Sequence, residues 1–425
     1  MATYHLKRLK NGINVYLHPT KKFKTILVQL IFHRRLDADK VTQSALLPSV
    51  LQRGSVNYPT RQKLAKRLEE LYGTELMVDV IKKGERQLIV YTLDLVHDQF
   101  LPGENSLLRQ SLEILNEIIT KPLVENNAFK ADYVRQEKEQ HEKVIRGLIN
   151  DKIAYSIERC LQEMCANEPF SVFKYGTSEQ LAKIDENSLY QFYYQFLQES
   201  PTDLHLIGDL AVEETLALVE EIFAYPRAQE EEIPPTLVEK EPEKVRYVQD
   251  ELDVNQGKLV LGFRTGISYK DKDYLALVMY NGILGGFPHS KLFQNVREKA
   301  SLAYYAYSRI EKHKGLMVIS SGIEVTNYIR TLDIIEKQIE AMAKGDFSEE
   351  IFQNTYSGLR NQYLLEEDSP AAFTNRALDD ILAGRTWTTQ ELLQELARVK
   401  PEDVVRIAQN VQLDTVYFLT KKGGA

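Results

Sequence analysis

A chain of 425 residues with 43% apolar and 27% charged content has the balance of a globular protein with several domains. Its net charge of −8 argues against nucleic acid or an anionic membrane surface as the main partner, because phosphate binding needs a basic face. No apolar run approaches the roughly 20 residues needed to span a bilayer.

The opening "MATYHLKRLKNG" enters an alternating pattern without an apolar signal core, so a cytoplasmic protein is the expectation. The strands "GINVYLHP" and "TILVQLIFH" follow, then the helix "TQSALLPSVLQRGS". A long polar helix, "AFKADYVRQEKEQHEKVI", starts near Ala128. Cys160 and Cys165 lie in "CLQEMC", not in a CxxC, and read as reduced core or boundary residues on different sides of a helix. In "YQFYYQF", Tyr190, Tyr193 and Tyr194 follow helical spacing, which predicts a buried stripe rather than a ligand site. The first half closes with the strand "DLHLIGDL".

Residues 225–247, "YPRAQEEEIPPTLVEKEPEKVRY", are rich in Glu and Pro and predict an extended, solvated connector. It divides a first domain, 1–224, from a second, 248–425. The second half repeats the order of the first: the strand "KLVLGFRT", the helix "DYLALVMYNGILGG", the long helix "DFSEEIFQNTYSGLRNQYLL" and the closing "EDVVRIAQNVQLDTVYFLT". An internal repeat of this kind predicts an α/β (α+β) duplication, each half a mostly antiparallel sheet covered by helices.

The duplication, the "RGS" turn and the segment "HSKLFQNVREKASLAYYAYS" resemble the pitrilysin/insulinase (inverzincin) superfamily of zinc peptidases. Its second half typically reads SRLFxxVREKxGLAYxxxS. "KYGTSEQLAKIDENSLYQFY" and "VNQGKLVLGF" also resemble family segments, so the likeness covers nearly the whole chain. It is strongest to the paired, non-catalytic bacterial members of the YmfF type, and it implies two insulinase-like halves that form half of a clam-shell.

A catalytic zinc needs about three protein ligands and an open position for water. The family's HxxEH helix places two histidines four residues apart, with a glutamate between them as general base. Registered through the Gly54–Ser55 turn, Ala45 and Ser49 occupy the histidine positions and Pro48 the general base. The third ligand position, counted from Glu137, falls at Val144, with Glu139 and Glu142 as outside candidates. Alanine, valine and proline offer no donor, and a serine hydroxyl is a poor one at neutral pH.

The eight histidines show no metal-ligand spacing. His141, beside Glu139 and Glu142, reads as part of a solvated helix face, and His205 as a structural histidine in an apolar strand. No metal is therefore expected in this chain.

The resemblance also implies that Arg297 and Tyr304, in "VREKASLAY", correspond to the family's pair that hydrogen-bonds the substrate carbonyl and the developing oxyanion. The turn "GILGG", with Gly285 and Gly286, is either a helix terminus or a place where a peptide backbone approaches closely. The expectation is a non-catalytic subunit that lends Arg297 and Tyr304 to a homologous HxxEH-bearing partner, which supplies the zinc for peptide processing. The alternatives are a peptide-binding or scaffold subunit without peptidase activity, and an unorthodox zinc peptidase using Glu139 or Glu142.

Overall fold

The computed structural model describes residues 4–103 and 106–422; Met1–Thr3 of the N-terminal stretch lie outside it. The apolar runs of the first half become β1 (His5–Arg8), β2 (Asn14–Pro19), β3 (Thr25–Arg35), β4 (Glu75–Lys83) and β5 (Arg86–Val96). A small hairpin, β6 (Val124–Glu125) and β7 (Ala128–Phe129), precedes the long polar helix, and β8 (Thr202–Gly208) closes the half. The second half contributes β9 (Arg246–Leu252), β10 (Gly257–Arg264), β11 (Ala303–Glu311), β12 (Leu316–Ile323) and β13 (Gln412–Lys421).

The duplication is visible in strand order. The first sheet runs β1-β2-β8-β3-β5-β4 and the second β11-β12-β10-β13-β9. Without β1, each sheet pairs its opening strand in parallel with its closing strand, β2 with β8 and β9 with β13. The remaining main-sheet pairings are antiparallel. β4 and β11 occupy equivalent free edges.

Central strands such as "TILVQLIFH" are buried at most positions on both faces, which marks a sheet covered on both sides. One face of each sheet meets its own half's helices. The opposite faces are covered by exchange. The helix Lys152–Met164, from the first half, packs Ile157, Cys160, Leu161 and Met164 onto Val260, Val318 and Tyr417 of the second sheet. Reciprocally, the helix Pro370–Ala383 lays Leu378 on Ile31, Leu88 and Val90, and Phe373 on Leu27 and Ile207.

Three local expectations are corrected. Cys160 and Cys165 do not diverge: both are buried in the same cluster. Tyr193 is buried, but Tyr194 is 52% exposed, its hydroxyl 3.0 Å from that of Tyr190, because the helix Glu186–Glu199 turns that flank to water. The connector is extended but not simply solvated. Thr236 accepts from the Glu85 N–H at 3.0 Å, Lys314 reaches the Leu237 carbonyl at 2.6 Å, and Lys240 pairs with Glu168 at 2.9 Å.

Beneath it runs a buried ionic network. Glu168 accepts from Arg264 at 2.7 Å and pairs with Lys314 at 2.7 Å; Arg264 also holds Asp414 at 2.8 Å, and Lys314 reaches Glu85 at 2.6 Å. Burial alone raises the Glu168 carboxyl, but hydrogen bonds from Arg264, Lys314 and Lys240 outweigh it and hold it at about 2.

Candidate functional site: a buried helix pair and a presented arginine and tyrosine

The helix Val41–Leu51 carries Ala45, Pro48 and Ser49, the residues expected at the zinc-motif positions. Nine of its residues are buried, Ala45, Leu46, Leu47 and Pro48 among them. Pro48 lies inside the helix, where it removes a hydrogen bond at a cost of about 3 kcal/mol. The apolar burial on either side offsets that cost. Ser49 is partly buried. Gly54 is required after the helix: a Cβ there would sit 2.7 Å from the Pro59 carbonyl oxygen.

The facing helix is Ala131–Gly147. Its Glu137 is 3% exposed and ion-paired to Arg53, with Arg61 a further cation at 3.7 Å. Val144, at the third ligand position, is 46% exposed. Glu139 pairs with Arg135 at 3.4 Å, while Glu142 accepts from Ser178 at 2.9 Å and pairs with Arg146.

His141 is not on a solvated face. It is buried and its Nε2 lies 2.8 Å from the Tyr175 carbonyl, because the chain at 175 folds back over that side of the helix. Burial lowers its pKa.

These residues do not fit a zinc ion. Ala45, Pro48, Ser49 and Val144 supply no nitrogen or carboxylate donor; of the buried carboxylates nearby, Glu137 is neutralised by two guanidinium groups and Glu117 is taken up by Ser55 and Asn57. Among the described residues, no group of three or more His, Cys, Asp or Glu is placed to hold a metal.

Sequence reasoning does not find a buried histidine pair on the other face of the first sheet. His18 of β2 and His205 of β8 lie 187 positions apart, with ring nitrogens 3.4 Å from each other. His205 stacks on Tyr16 at 4.6 Å, and His33 pairs with Asp203 at 3.0 Å. Burial drives His18 down to about 3 and His205 to about 4.

In the second half, two consecutive π-helical segments, Gly282–Gly286 and Phe293–Lys299, precede β11. Such wide turns are rare and concentrate at functional positions. Gly282 and Gly285 are buried: a Cβ on Gly285 would lie 2.5 Å from the Ser308 nitrogen, so that residue packs directly on β11. Gly286 is exposed.

Arg297 extends from the second segment into solvent, its guanidinium 4.6 Å from the Phe293 ring and 3.7 Å from Glu298. The chain then turns through Ser301 at φ +52°, a left-handed conformation at the position where the family motif carries glycine. β11 begins with an irregularity: Ala303 faces Ile323 and Tyr305 faces Gly322, leaving Tyr304 as the extra residue of a bulge. Bulges re-aim side chains. Tyr304 is 67% exposed on this edge strand, whereas Tyr305 lies against Gly322.

Comparison with known proteins agrees with this architecture. Residues 183–359 match the family described as peptidase M16 inactive domain. The chain is 38% identical to "Probable inactive metalloprotease YmfF" of Bacillus subtilis (strain 168), over 99% of this chain and 98% of that protein. The chain belongs to the M16 peptidase family. Among solved structures, a conserved protein from Enterococcus faecalis V583 superposes with a TM-score of 0.91 at 31% identity, covering 98% of each chain. A peptidase M16 inactive domain from Pseudomonas fluorescens, at 15% identity, shares the fold with a TM-score of 0.81 over 99% of this chain and 98% of that one. Within the M16 family this chain is an inactive metalloprotease homologue.

Proposed function

We propose that this M16 homologue is the non-catalytic subunit of a heterodimeric zinc peptidase. Its partner is a homologous HxxEH-bearing chain that supplies the metal. Arg297 and Tyr304 are lent to that site, where they hydrogen-bond a peptide carbonyl and the oxyanion formed from it. The peptide adds as an extra strand along a free sheet edge.

The observation that carries this reading is the presentation of Tyr304. A bulge turns a large aromatic side chain to solvent at 67% exposure, on an edge strand whose other residues pair regularly with β12. A residue kept only for packing would not need the bulge. Arg297, exposed seven residues earlier in the chain, has Glu298 as its one ionic neighbour among the described residues.

The test is to purify this chain alone, an HxxEH homologue alone, and the mixture. Peptide cleavage is expected only in the mixture. Tyr304→Phe in this chain is expected to lower kcat there by about 10- to 100-fold, as for loss of one oxyanion donor. Unchanged kcat with that variant refutes the lent-residue role. A stable complex that never cleaves peptide points instead to a scaffold or peptide-binding subunit.

A further inference from the structure

A cleft lies on the seam between the halves, and neither Arg297 nor Tyr304 is among its lining residues. It has a volume of about 240 Å³. The β4–β5 turn supplies Lys83 and Arg86, the connector supplies Thr236, and the second half supplies Ser268, Lys270 and His313. No Asp or Glu is among its lining residues. In a chain of net charge −8, a cleft lined by three permanent cations and no carboxylate runs against the overall charge.

The cations are unequally engaged. Asp379, fully buried behind the cleft, holds Lys83, Lys312 and His313 together. One carboxylate thus faces two ammonium groups. Arg86 is half-buried, and among the described residues its guanidinium makes one long hydrogen bond, to the Ile233 carbonyl at 3.5 Å. The acid that acts on it electrostatically, Asp203, is itself engaged by His33 and Asn14. A guanidinium has five N–H donors, so most of its capacity is unused. Lys270 stands exposed at the rim, and the neighbouring Asp271 is turned onto the Ser268 hydroxyl at 2.7 Å.

The cleft is also pre-formed. Gly84 turns the β4–β5 hairpin at φ +55°, and a Cβ there would collide with the Thr236 side chain. The connector is therefore seated on the hairpin, with Arg86 fixed at the border of first half, connector and second half.

We infer that this seam cleft binds a small oxyanion, a phosphate or carboxylate group, held chiefly by Arg86 and Lys270. Planar N–H pairs of a guanidinium match two oxygens of such an anion, and charge-assisted hydrogen bonds are the strong ones. Because Arg86 and Lys270 come from opposite halves, the anion ties the halves together across the connector.

The test follows melting of the full chain in inorganic phosphate, pyrophosphate or acetate against sodium chloride of equal ionic strength. A saturable rise in Tm is expected with at least one of the three. Response to the phosphates alone assigns a phosphate group, and response to acetate alone a carboxylate. Arg86→Ala and Lys270→Ala are each expected to weaken the response about tenfold. Lys270 is exposed, so its variant keeps the test decisive if Arg86→Ala fails to fold. No saturable shift with any anion, or an unchanged titration in Lys270→Ala, overturns the site.

Discussion

Arg53, on the turn after the first helix, reaches the buried carboxylate of Glu137 on the facing helix. A guanidinium–carboxylate pair thus fastens the two helices that a zinc ion clasps in the family's HxxEH members. The degenerate site is a charged, closed contact and not an empty socket.

Arg53→Ala leaves Glu137 with only Arg61, at 3.7 Å. Removing one partner of a buried pair costs about 3 kcal/mol. Denaturant unfolding is expected to show that loss. The double variant Arg53→Ala/Glu137→Ala is expected to be less destabilised than the sum of the singles, because it removes both partners and leaves no orphaned buried charge.

Metal removal is expected to change nothing in the isolated chain. Ala45, Pro48, Ser49 and Val144 give zinc no ligand set. EDTA is expected to leave Tm unaltered, and elemental analysis to find well under one zinc per chain. Stoichiometric zinc that chelation removes with a fall in Tm contradicts this.

The pair His18 and His205 sets an acid limit. In the unfolded chain each titrates near the ordinary value of about 6.5. Folded, burial lowers them to about 3 and about 4. The folded state then binds fewer protons, so their contribution to stability is present above pH 6.5 and is lost as pH falls toward 4 and below. Glu168, held at about 2, adds a second loss that begins near the ordinary carboxyl range. Stability is expected to fall steadily between pH 6.5 and 4, and His205→Gln to flatten that slope in pH-dependent denaturant unfolding.

Ser301 holds a left-handed turn at φ +52°. Its Cβ costs about 1 kcal/mol there relative to glycine. Ser301→Gly is expected to stabilise the chain by roughly 0.5–1 kcal/mol, with part of the gain lost to greater freedom of the unfolded chain. Tyr304→Phe, at an exposed position, is expected to stay within about 0.5 kcal/mol of wild type, so an effect on a partner's kcat would not be a folding effect.

What the sequence determined by itself was of two kinds. Strand and helix type followed from local apolar periodicity, and the repeat of that pattern foretold two like sheets. That Ala45, Pro48, Ser49 and Val144 carry no zinc-binding nitrogen or carboxylate is also plain from the residues themselves. Tertiary structure alone decided the rest. His18 meets His205, Arg53 meets Glu137, and the helices Lys152–Met164 and Pro370–Ala383 change sides, because each contact joins segments far apart in the chain. Local periodicity says which face of an element is buried but not which distant surface buries it; for that reason the sequence pattern places His141 on a solvated face, whereas in the fold the chain at Tyr175 covers it.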